Sequence, residues 1–135
     1  VIYSNSGVNA LPVEIAQDAK LRGLITVAVV SLEYSKQAPV TSKTGQTLAD
    51  VADYVIDNHV PPGDAVVPFY GDSLRAGAIS NVAGAFIWNA LVAETVGLLE
   101  EKGVKAPVYI SSNMPGAKES NQALVEKYRR RIRHL

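Results

Sequence analysis

Along the chain, apolar and polar positions fall into blocks that switch between a strand-like and a helix-like habit. Val1 to Tyr3 suits the end of a buried strand, and "LPVEIAQDAKLRG" reads as a helix, with Pro12 near its first position and Gly23 just past its end. Leu24 to Leu32, "LITVAVVSL", is a continuous run rich in β-branched residues, which predicts a strand covered on both faces, as in a parallel sheet. A polar segment holding Ser35, Pro39, Ser42 and Gly45 follows. Next, "TLADVAD" predicts a short helical turn, "YVIDNH" a third strand, and "PPGDAVVPFYGD" a turn with a short fourth strand. From Ser80 to Lys102 the pattern is helical and apolar around almost its whole circumference, through Val82, Phe86, Trp88, Leu91 and Val96. Such a helix is expected to be buried, in the core or against a second subunit. "APVYISSN" predicts a last strand, and "KESNQALVEKYRRRIRHL" a terminal amphipathic helix with a basic end.

Strands alternating with helices at this spacing predict right-handed β-α-β units and a three-layer α/β arrangement with a parallel sheet. With 135 residues, the chain has room for one domain, 1–135. Ligands of such sheets sit beyond the carboxyl ends of the strands. Residues 4–9, 31–35, 58–64 and 111–113 are expected at that edge.

Charge and composition narrow the partners. Thirteen basic and thirteen acidic side chains cancel, so the electropositive field that drives non-specific nucleic-acid binding is missing. Cysteine is absent, which excludes disulfide frameworks and thiolate metal sites. No charged-then-apolar leader is visible, and a cytoplasmic protein is expected. The longest apolar block, 82–93, falls short of the roughly 20 residues that cross a bilayer, so no membrane span is expected. The chain opens on a strand at Val1 without a lead-in, the look of a fragment or a trimmed product.

Small, hydroxyl-rich residues stand where the first helix is about to begin. A helix amino terminus carries unpaired N–H groups and a partial positive charge, so it attracts an anion. In "SNSGVN" the hydroxyls of Ser4 and Ser6 and the amide of Asn9 add side-chain hydrogen bonds, and Gly7 permits a tight backbone path beside a ligand. Serine and asparagine cap helices and fill turns in most proteins, and a lone S-x-S-G is more often a turn than a site. Here the motif follows a buried strand and opens a helix, while the chain lacks both G-x-G-x-x-G and G-x-x-x-x-G-K-[ST]. A phosphate without a nucleotide is the more economical ligand.

"VIYSNSGVNALPVEIAQDAKLRGLITVAVVSLEYS", "LADVADYVID" and "AISNVAGAF" before a long helix together resemble the sugar isomerase (SIS) domain. More narrowly, "PPGDA" and "SSNMPGAKESN…YRRRIRHL" resemble a bacterial group of SIS proteins labelled phosphosugar or phosphoheptose isomerases. The resemblance implies an αβα sandwich with a five-stranded parallel sheet of flavodoxin-like topology, dimeric or tetrameric, binding a phosphorylated sugar or amino sugar without a cofactor. It places Ser4, Asn5, Ser6 and Gly7 in the phosphate loop. Asn9 stands where the family has Ser or Thr, and Val8 replaces a polar residue. Ser80 and Asn81 match the hydroxyl pair at the start of the long helix, and Ser31 and Ser35 lie near the second-strand loop. It also implies that the amino-terminal elements of the domain are missing.

Aldose–ketose isomerisation needs a carboxylate to move a proton between adjacent carbons, commonly with a histidine that opens the ring. His59 with Asp64 is the acid–base pair the sequence offers, against the plainer reading of a polar loop. Glu14 suits the helix dipole, and His134 with Arg129, Arg130, Arg131 and Arg133 forms a basic helix end that is usually solvated. Asp50, Asp53 and Asp57 do not cluster with histidine at metal-ligand spacing, so no metal site is expected. An isomerase and a non-catalytic phosphosugar sensor both fit these residues.

Overall fold

The computed structural model describes residues 1–132 and His134, and the predicted basic end therefore loses Arg133 from the description. The chain falls into two units, Val1–Leu91 and Val92–Leu135. The first is mixed α/β and holds a small parallel sheet.

In that unit, β1 (Ile2–Tyr3), α1 (Ala10–Leu21), β2 (Val27–Val30), α2 (Leu32–Gln37), α3 (Leu48–Val51) and β3 (Tyr54–Asp57) follow one another. The three strands lie in sequence order and are parallel, with Tyr3 beside Val29 and Val30 beside Asp57. Alternation across β2 divides its side chains. Ala28 and Val30 point into a core with Val13 and Ala16 of α1 and Leu48 and Val51 of α3, while Val29 points the other way and is equally buried. This two-sided burial is what the run of β-branched residues predicts. The strand is shorter than 24–32, however, because Leu24 and Ile25 are exposed and Ser31 caps α2 by accepting from the Tyr34 N–H.

Local chemistry fixes the ends. Gly23, at φ +72°, stops α1. Thr47 and Asp50 form a reciprocal capping box on α3, so the four-residue helix has its first N–H groups satisfied. α2 starts at Leu32, the last residue of the predicted strand run, and continues into the polar segment, where no helix was expected.

After β3 the sequence-based expectation of one five-stranded parallel sheet fails. β4 (Ala65–Phe69) and β5 (Leu74–Ala78) form a separate antiparallel hairpin. Its loop turns through Tyr70, Gly71 and Asp72, all at positive φ, a backbone path that reverses the chain too tightly for a crossover. β5 reads "LRAGA", without a β-branched residue, and its period-2 signal is correspondingly faint.

α4 (Ser80–Glu101) carries the chain into the second unit. It is apolar as expected, but within the first unit Val82, Phe86 and Trp88 are 70%, 74% and 54% exposed, so of the two expected ways of covering it, burial in the chain's own core does not hold for these side chains. At 22 residues it is also long and apolar enough to cross a membrane, a length that the 82–93 block alone did not reveal; the core helix of a soluble protein meets the same criterion. In the second unit α5 (Ala117–Tyr128) forms where a terminal helix was predicted but ends before Arg129–Arg131 of the basic end, and "APVYISSN" is not a strand. Both main-chain groups of Ile110 bond instead to the Asn121 carboxamide, at 2.9 and 2.8 Å. That side chain takes the place of a neighbouring strand.

Candidate functional site

The carboxyl ends of the three parallel strands bring Ser4, Asn5, Ser31 and Asn58 side by side. The ladder runs on past the strands: Ser4 N–H donates to the Val29 carbonyl, Ser31 N–H to Asn5 and Asn58 N–H to Val30. Residues 4–9 then form the loop into α1.

The carbonyls of this loop are anchored inward. Asn5 accepts from Ser31 N–H at 2.8 Å, Gly7 from Leu48 N–H at 2.7 Å and Val8 from Thr41 N–H at 3.0 Å. The N–H groups are left over. Among the described residues, those of Asn5, Ser6, Gly7, Val8 and Asn9 have no acceptor, nor do the Ser4 and Ser6 hydroxyls take part in a hydrogen bond. Gly7 sits at φ +65°, and a Cβ there would meet Val30 Cγ1 at 3.3 Å, so the loop needs glycine for both its path and its packing. Successive N–H groups with one residue in the left-handed region make a concave anion seat. Asn9 is the N-cap of α1 but its side chain makes no capping bond; the first helical N–H, that of Ala10, donates instead to Thr41 Oγ1 at 3.2 Å. Gly7 and Val8 are buried, Ser4, Asn5 and Ser6 half-buried and Asn9 exposed.

Asn5 adds a further donor. Its Oδ1 accepts from Asn58 Nδ2 at 3.0 Å, and its own Nδ2 is the one buried side-chain polar atom without a partner among the described residues. Asn58 Nδ2 also reaches the Tyr3 hydroxyl at 3.3 Å, and that hydroxyl donates to the Ser80 carbonyl at the start of α4. Asn58 lies in the 58–64 stretch expected at this edge, but its bond to Asn5 was not legible in the sequence, because it comes from the β1–β3 juxtaposition across β2.

Other predicted residues are already engaged. Ser31 Oγ is fully buried, donating to the Val60 carbonyl at 2.6 Å and accepting from Tyr34 N–H. Ser35 is buried within α2. Ser80 N–H and Oγ both bond the Asp64 carboxylate, at 2.7 and 2.6 Å, so Asp64 caps α4 from a distance. Asn81 lines a cavity of about 320 Å³ with Tyr3 and Ser80, a cavity whose walls include none of residues 4–9. His59 and Asp64 are not partnered with each other. His59 Nδ1 stands 3.3 Å from Asp57 Oδ2 and the imidazole is 84% exposed. Burial pushes the Asp57 carboxyl up, but N–H groups of His59 and Leu32 and the nearby charges of His59 and Lys36 hold it below the ordinary carboxylate value. Glu14 is exposed on α1, beyond the first turn. Arg129, Arg130, Arg131 and His134 are exposed at the carboxyl end. No group of metal-binding side chains gathers among the described residues.

Comparison with known proteins follows this geometry. The chain is similar to UPF0309 proteins. It is 44% identical to one from Geobacillus thermodenitrificans over 97% of its length, which is 53% of that relative. One from Brucella anthropi is 44% identical over all of the chain and 54% of the relative, and one from Caldanaerobacter subterraneus is 44% identical over all of the chain and 56% of the relative. The chain thus spans about half the length of the curated relatives it matches. No protein-family model matches it.

Proposed function

We propose that residues 4–9 bind the phosphate of a phosphorylated sugar or amino sugar. The observation that carries this reading is the asymmetry of the loop: three of its carbonyls are tied down while five consecutive N–H groups are without acceptors among the described residues. Donors without acceptors at the amino end of a 12-residue helix favour an anion. The loop holds no lysine or arginine, so attraction comes from fixed dipoles and the Ser4 and Ser6 hydroxyls, and the sugar has to supply the rest through groups such as the Asn5 amide. In the same reading, α1 and α3 on one face of the sheet and α4 on the other are the outer layers of an SIS-type αβα sandwich.

Binding is the form of this function that these residues support, because His59 and Asp64, the acid–base pair suggested by the sequence, each hold another partner. The protein then acts as a phosphosugar-sensing module. Ser6→Ala tests the loop: calorimetry with glucose 6-phosphate and glucosamine 6-phosphate is expected to show weaker binding with thermal stability unchanged, whereas equal affinity for the variant and the parent counts against it.

A further inference from the structure

We infer that, given the phosphate reading of residues 4–9, Asn58 is a positioning residue for the loop: it fixes the Asn5 carboxamide with its NH2 group left over, so that a ligand oxygen meets one donor more than the main chain provides. Which end of a carboxamide is oxygen follows from its partners, and here the partners leave one choice. The Val60 N–H can only donate, and it donates to Asn58 Oδ1 at 3.0 Å. The Ser80 carbonyl can only accept, and it takes the proton of the Tyr3 hydroxyl. Asn58 Nδ2 therefore stands between two acceptors, the Tyr3 hydroxyl at 3.3 Å and Asn5 Oδ1 at 3.0 Å. With its oxygen turned to Asn58, Asn5 has Nδ2 to spare.

That nitrogen is buried and has no partner among the described residues. A buried donor without an acceptor is destabilising, and native proteins seldom keep one, so its retention in Asn5 fits an acceptor that arrives with a ligand. The location agrees. The Asn5 N–H is the first of the five in the loop without acceptors among the described residues, and an anion seated on them brings its oxygens to the same residue. The chemistry selected is an oxygen acceptor, either of the phosphate or of the sugar beside it; an ammonium group in that place would face a donor. Asn58 acts without touching the ligand. Its main-chain N–H is held separately by the Val30 carbonyl at 2.8 Å, so the pairing of β3 with β2 does not depend on its carboxamide.

A double-mutant cycle over Asn5 and Asn58 tests this, with affinities for glucose 6-phosphate and for inorganic phosphate read from titrations of the ¹⁵N-labelled protein. Asn5→Ala and Asn58→Ala are each expected to weaken glucose 6-phosphate binding about ten-fold, the scale of one hydrogen bond to a charged group, and the double variant to bind no more weakly than Asn5→Ala alone. In the parent the side-chain NH2 signals of Asn5 are expected to shift saturably. The same non-additivity with inorganic phosphate assigns the acceptor to the phosphate, and its restriction to glucose 6-phosphate assigns it to the sugar. Asn58→Asp guards against a folding defect: it keeps an acceptor for the Val60 N–H and removes the donor, and its added charge is common to both halves of the cycle and cancels. Losses that add with both Asn58 variants overturn the inference, as do Asn58 variants that bind like the parent while Ser6→Ala binds more weakly, a result that leaves the phosphate reading standing. N–H signals of residues 5–9 that respond to neither ligand in the parent overturn both.

Discussion

Single residues show how the loop and its surroundings are held. Asp53 receives the Thr26 N–H and Oγ1, both at 2.8 Å, and pairs with Lys20 at 3.0 Å. The Thr26 N–H, then the Lys20 and Thr26 side-chain bonds, hold its carboxyl at about 2. An unfolded aspartate titrates near 3.9. The native form therefore prefers the carboxylate more strongly than the unfolded chain does. The stabilisation is fully present above about 3.9 and fades as pH falls through about 2. A series of denaturant midpoints from pH 6 down should accordingly show a shallower acid loss in Asp53→Asn than in the parent; parallel acid limbs would show that this carboxylate contributes nothing to folding. Asp53 is a third exposed, so solvent screening keeps the effect modest.

At the scale of elements, caps decide where structure starts, and they come in two kinds. Thr47 and Asp50 cap α3 from within their own segment, a spacing legible in the sequence. α4 has no such local signal: its first N–H is met by Asp64, sixteen residues earlier, which sits at φ +70° immediately before β4. The hairpin had to fold for that contact to exist, which is why the sequence suggested Asp64 as an acid–base partner and not as a cap. Asp64→Ala should lower stability by about 1 kcal/mol, the usual worth of a helix cap, seen as a drop in the urea midpoint at unchanged slope. No change in midpoint would place the start of α4 under other control. The parallel strands were readable because β-branched runs mark them, whereas β5 lacks such residues and "APVYISSN" has them without a strand to pair with. Periodicity reports what a segment tolerates, and pairing decides the rest.

Across the whole molecule, the mixed α/β character and the β1–α1–β2 order were readable from the sequence, and so was the position of residues 4–9 at the carboxyl edge of the sheet. The direction of their main-chain groups was not, because it depends on Leu48, Thr41 and Ser31, none of them adjacent in sequence. The exposure of α4 was equally hidden: an apolar helix announces that something covers it, without saying what. The central claim concerns the loop, and amide NMR tests it most directly. Titrating glucose 6-phosphate into the ¹⁵N-labelled protein should shift the N–H signals of residues 5–9 saturably, while glucose leaves them in place. Residues 5–9 unmoved by any phosphorylated sugar or amino sugar, at concentrations that saturate binding elsewhere or produce none, would contradict it.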